Sequence, residues 1–173
     1  MRHEEVNRLI KRGLDQAKIT STLEPIGLSR AGDGKRPDGL TYTTWTEGKC
    51  LIWDYTCADP GCKSYVNKSA KEACSAAADR ENKKIDKYAN LSHNYHFIPV
   101  GTETYGAFGP KGLKLLKSIG KRIHEATGEK RSTMFLLQNI SMAIQRANAV
   151  CVMGTAPTST GLEGLFDFVT YDT

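Results

Sequence analysis

Two extended runs joined by a short polar turn constrain this chain more than any other feature. Leu40, Tyr42, Thr44 and Trp45 carry the first run, Thr46-Glu47-Gly48-Lys49 turns it, and Cys50 to Cys57 returns as an apolar strand. The turn at Glu47-Gly48 reads as a hairpin. The flanking chain alternates between helical and extended periodicity, and an antiparallel hairpin inside such an order requires a mixed sheet with helices on its faces.

Val6, Leu9, Ile10, Leu14 and Ala17 recur at helical spacing and predict an amphipathic helix over residues 4 to 18. A short strand from Thr20 to Ile26 follows, then a polar Gly27 to Gly39 loop that delivers Asp38 to the next strand. Beyond the hairpin, Ala58-Asp59-Pro60-Gly61-Cys62 breaks the pattern, and an Ala-, Glu- and Lys-rich stretch from about Lys68 to Leu91 predicts a helix. Tyr95 to Thr102 is the last strand, with Pro99 marking an edge or a bulge. Gly109-Pro110 opens a helix that Thr127-Gly128 closes, and Ser132 to Val150 is the final helix. The expected fold class is therefore α/β, a mixed sheet of about four strands flanked by helices in the order αβββαβαα. With 173 residues, 39% of them hydrophobic, the chain suits one core: residues 1 to 154 read as one domain and 155 to 173 as a flexible C-terminal tail.

Met1-Arg2-His3-Glu4-Glu5 lacks the apolar core of a signal peptide, and no stretch has the roughly 18 apolar residues of a membrane helix. An intracellular protein with no membrane partner is expected. Five cysteines in scattered positions argue against a disulfide framework, and the spacing of Cys57 and Cys62, with Cys50, His93 or His96, fits a structural zinc site poorly. Twenty-four Lys and Arg against nineteen Asp and Glu give a net charge of +5, compatible with a polyanionic partner without establishing one.

The chemistry concentrates in a few acids and lysines. Asp38 begins the second strand and Asp54 lies in the third, so pairing through the hairpin can bring both carboxylates to one end of the sheet. Facing carboxylates repel, and a bound Mg2+ (or Mn2+) resolves the repulsion. Glu24, at the end of the first strand, is a third candidate ligand. Lys84 and Lys87 share a helix face, with Tyr88 one step further round, and either lysine can reach that edge to activate water or stabilise charge. Lys35 and Arg36 sit beside Asp38, and Lys114 and Lys121 belong to a basic helix face able to follow a DNA backbone.

Lys35-Arg36-Pro37-Asp38, Asp54 in Trp53-Asp54-Tyr55-Thr56, and Lys84 with Lys87-Tyr88 together resemble the restriction-like endonuclease domain of non-LTR retrotransposons, similar to the PD-(D/E)xK nuclease superfamily. The resemblance spans residues 2 to 154, nearly the whole chain, and includes Gly34 to Gly39 and Ile144-Gln145-Arg146-Ala147-Asn148-Ala149. It implies a restriction-endonuclease-like fold and a metal-dependent DNA endonuclease that nicks a target site by phosphodiester hydrolysis. It also implies a double-stranded DNA substrate, a nuclear location and the reverse-transcriptase portion of a parent polyprotein as partner. The superfamily's usual lysine, two residues after the second acid, is Thr56 here, which moves that role to Lys84 or Lys87. Relatives carry a zinc knuckle and a polymerase upstream, so the chain reads as a fragment or remnant of such an element.

Blander readings stand beside these. Asp38 between Pro37 and Gly39 suits a turn, Asp54 could answer to Arg36 in a salt bridge, Lys83, Lys84 and Lys87 could form a solvated helix face, and Tyr88 could be a packed aromatic. The alternative functions are a catalytically decayed nucleic-acid-binding remnant and a non-catalytic interaction protein.

Overall fold

A computed structural model describes residues 2 to 28 and 36 to 155. Helix α1 (Arg2–Gln16) precedes strands β1 (Ser21–Leu23), β2 (Gly39–Thr46) and β3 (Lys49–Ala58). A one-turn helix α2 (Val66–Ser69), helix α3 (Ser75–Lys87) and a 3-10 turn (Ala89–Leu91) lead to strand β4 (His96–Glu103), then to helices α4 (Pro110–Thr127) and α5 (Ser132–Thr155). The sheet runs β1-β2-β3-β4, antiparallel across its first three strands and parallel between β3 and β4. The mixed α/β architecture and its four strands are those the sequence predicts, with α2 as an addition.

The hairpin turns on Glu47 at φ 53° and Gly48 at φ 73°. Two successive left-handed residues give the tight turn whose twist matches the strands it joins. Register shifts flank Thr44, so β2 bends close to the turn, while its other end pairs regularly, Gly39 opposite Trp53 and Leu40 opposite Ile52. Gly39 has a steric reason to be glycine: a Cβ there would fall 2.0 Å from the Trp53 indole.

β3 is the central strand and nearly all of it is buried. One face sends Leu51, Trp53 and Tyr55 into the main core against Val6, Ile10 and Leu14 of α1, Leu116 and Ile119 of α4, and Ile140 and Ile144 of α5. The other face sends Ile52 against Tyr88 and Leu91, with Leu40 and Phe97 beside them. Alternation along one strand thus separates an apolar layer under α1, α4 and α5 from a thinner layer under α3.

Where the chain differs from the sequence expectation, a local cause is visible. The helix expected from Lys68 to Leu91 is interrupted, because Cys74 takes a left-handed φ of 64° and α3 starts only after it. Cys74 offers no side-chain cap, and the Glu103 carboxylate of β4 instead accepts the Ala76 and Ala77 N–H groups at 3.1 and 3.3 Å. α4 is started the same way. Its N-cap, Gly109, has no side chain, and buried Glu81 of α3 accepts from Lys111 N–H at 3.0 Å, Gly112 N–H at 2.7 Å and Gly101 N–H at 3.1 Å. Each helix is therefore capped by a glutamate from another element. The first strand stops at Leu23, since Glu24 has φ 49° and Pro25 cannot donate to a ladder. Pro99 lies in β4, which is an edge strand as the proline implies. The C-terminal tail expected from residue 155 falls, from 156 on, outside the described residues, as does Lys35.

Candidate metal centre

Carrying the Gly39–Trp53 register one step back puts Asp38 opposite Asp54. Asp38 lies at the mouth of β2 and its Oδ2 accepts the Tyr55 N–H at 2.6 Å. The same oxygen is 3.1 Å from His3 Nε2. Asp54 projects from the middle of β3 on the face of Ile52, its side chain 3% exposed, and Lys84 Nζ lies 2.8 Å from its Oδ2. That oxygen is buried, with the Lys84 ammonium as its close partner. One donor atom each from His3, Asp38 and Asp54 lies within 4.8 Å of the others, the one such group among the described residues.

The electrostatics are those of two unequal acids. Burial and the neighbouring Asp38 charge push the Asp54 carboxyl up to about 6, against the pull of Lys84. Burial also raises Asp38, but hydrogen bonds from His3 and the Tyr55 N–H outweigh it, and its pKa is lowered. His3 is raised, chiefly by its hydrogen bond to Asp38, with burial opposing. When both acids are charged they repel, and a hard divalent cation between them would remove the repulsion that Lys84 only partly offsets. The oxygen donors, the buried Asp54 oxygen and the close approach fit Mg2+ or Mn2+ chemistry.

Two lysines were open candidates from spacing, and α3 separates them. Ala77, Glu81, Lys84 and Tyr88 follow one another at three- and four-residue steps along the face turned to the sheet, so Lys84 reaches Asp54. Lys87 lies outside that stripe with its Nζ 4.8 Å from the Tyr88 ring centroid, and Lys83 sits similarly over Tyr65. Tyr88 is fully buried against Phe97 and donates its hydroxyl to the Arg36 carbonyl at 2.9 Å, so it anchors the segment leading to Asp38.

Arg36 donates from Nε and Nη2 to the Glu24 carbonyl at 3.1 and 2.7 Å and pairs with the Glu24 carboxylate at 3.0 Å. Glu24 thus answers to Arg36 in this conformation, outside the three-residue group, although both line the cleft that holds Asp38. The suspected Arg36 partnership of Asp54 is taken by Lys84 instead. The cleft is about 680 Å3 and opens beside His3, Arg8, Glu24, Arg36 and Tyr42. Lys114 and Lys121 are exposed on α4, and Lys114 lines a different, mostly apolar groove with Trp45 and Thr46. Those two residues end β2, roughly 20 Å of strand away from Asp38.

Sequence reasoning missed His3. Its signal was the four-residue step to Asn7, which lies in the buried Val6, Ile10 and Leu14 face of α1 and brings His3 to the sheet end. Arg2 fixes that first turn by donating to Asn148 of α5 at 2.6 Å. Cys57 and Cys62 join no metal-binding group among the described residues. No described helix is long and apolar enough to cross a membrane. Compared with protein-family models and with curated proteins, the chain matches none.

Proposed function

We propose that this chain is a metal-dependent DNA endonuclease domain of retrotransposon origin that hydrolyses phosphodiester bonds in duplex DNA. The observation that carries the reading is the convergence of Asp38 and Asp54, whose donor atoms come within 4.8 Å, with Lys84 2.8 Å from Asp54 and Asp38 lining a cleft that also bears Arg8 and Arg36. The resemblance of Lys35 to Asp38, Asp54 and the Lys84 to Tyr88 run to restriction-like endonucleases supports it further. A divalent ion held there supplies a polarised phosphoryl oxygen and a more acidic bound water.

The chain's own residues supply the rest. Asp38 and Asp54 would hold the cation, Asp38 on a carboxylate oriented by the Tyr55 N–H. Lys84 faces the same centre and donates to an attacking water or to developing negative charge, a task for which Lys87 is less well directed. Arg8 and Arg36 line the entrance and draw phosphate toward it. Chromosomal DNA as substrate implies nuclear action, and a polymerase in the same polyprotein would use the nick.

A supercoiled plasmid reports nicking directly. The wild type should convert it with Mg2+ or Mn2+, Asp38→Asn and Asp54→Asn should lose at least about 100-fold of that rate, and Lys84→Met should lose far more than Lys87→Met. Equal nicking by wild type and the double aspartate variant refutes the reading. DNA binding that persists in EDTA with no cleavage by the wild type would favour the decayed binding remnant.

A further inference from the structure

His3 invites assignment as a third metal ligand, and the hydrogen bonds around it argue otherwise. The Trp53 indole can only donate, so the Asn7 atom 3.1 Å from Trp53 Nε1 is the amide oxygen. The other end of that amide, Nδ2, is then the donor that stands 3.3 Å from His3 Nδ1. In the neutral ring a nitrogen facing an N–H must carry a lone pair, which leaves the single ring proton on Nε2. Nε2 is the atom 3.1 Å from Asp38 Oδ2. The polarity of the whole chain follows: Trp53 Nε1–H to Asn7, Asn7 Nδ2–H to His3, His3 Nε2–H to Asp38.

A ligating imidazole has to turn a bare nitrogen toward the ion and put its proton on the other one. Here that would set Nδ1–H against the Asn7 N–H, and relieving the clash by turning the amide would set its NH2 against the indole. Asp38 Oδ2 meanwhile receives the Tyr55 and His3 donors, two fixed groups that set the direction of the carboxylate.

We propose that His3 is a positioning residue, held as the Nε2–H tautomer by Asn7 and Trp53, that orients Asp38 from outside an all-oxygen metal site. The proposal rests on the reading of Asp38 and Asp54 as the metal pair. It commits the centre to hard oxygen donors and water, and gives α1 the task of aiming one carboxylate.

The test uses Mn2+ as the probe on the full chain. Pulsed electron paramagnetic resonance of the Mn2+-loaded wild type should show no directly bound 14N, and nitrogen NMR of the metal-free protein, recorded above the raised His3 pKa where the ring is neutral, should show the Nε2–H tautomer. His3→Ala should weaken Mn2+ binding by about 10-fold or more, and His3→Gln, whose amide N–H can still reach Asp38, should recover most of it. A direct 14N coupling in the wild type that disappears in His3→Ala overturns the proposal while leaving the two-aspartate site intact. So does an Nδ1–H ring, or a His3→Ala variant that binds Mn2+ as the wild type does. Mn2+ binding indifferent to Asp38→Asn and Asp54→Asn overturns the underlying site, and a wild type that binds no Mn2+ overturns both.

Discussion

Asp54 is the residue at which folding and chemistry conflict. A carboxylate 3% exposed beside a second acid holds its proton more tightly than it would in the unfolded chain, with a pKa of about 6 rather than 3.8. Stability of the metal-free protein therefore falls as the pH rises from the ordinary carboxylate range toward 6, and is level above it. A rise of that size corresponds to at most about 3 kcal/mol. Asp38 behaves oppositely: its lowered pKa contributes stability at neutral pH that is lost only as the pH falls through the depressed value. Asp54→Asn should accordingly raise the melting temperature at pH 7.5 without metal and give no gain at pH 4, read by circular dichroism. With saturating Mn2+ the order should reverse, since only the wild type is stabilised by binding. Identical melts at pH 7.5 without metal would mean that Asp54 feels no repulsion. Asp54 as a candidate was visible in the sequence because an acid flanked by Leu51, Ile52 and Trp53 needs a partner. That the partner is Lys84 was not, because three- and four-residue spacing leaves several lysines on neighbouring faces until Glu81 and Tyr88 fix which face is inward.

Among elements, α3 depends most on its neighbours. It carries Lys84, its start is set by Glu103 acting across the sequence, and its own Glu81 sets the first turn of α4 in turn. Gly109 is needed for the second contact, since a Cβ there would lie 2.4 Å from the Glu81 carboxylate. Glu81→Ala strands three backbone donors and should cost about 3–5 kcal/mol in a denaturant melt, with Glu81→Gln losing less because one oxygen remains to accept. A cost below about 1 kcal/mol for the alanine would show that water replaces the carboxylate. Local signals predicted α4 well, since Pro110 and Gly128 punctuate it in sequence. They failed at the start of α3, where the capping oxygen comes from a residue 27 positions from Ala76 and no short window contains both. The hairpin was legible because Glu47-Gly48 is itself the turn.

At the scale of the whole molecule, the order of elements was readable because each strand and helix has its own period. The convergence of three distant segments was readable only in part. The hairpin register pairs Asp38 with Asp54 directly, whereas His3 arrives through the packing of α1 on the sheet, which depends on the whole core. That packing makes Gly39 a remote control point. Nothing can be added at this position without displacing the Trp53 indole, and the indole is the first donor in the series that ends on Asp38. Gly39→Ala should leave helical content unchanged by circular dichroism yet weaken Mn2+ binding about as much as His3→Ala does; undiminished binding would show that the series carries no load. The smallest residue in the neighbourhood thereby sets the aim of an acid it never touches through a side chain, and drift at that one locus would blunt the proposed cation site while sparing the fold around it.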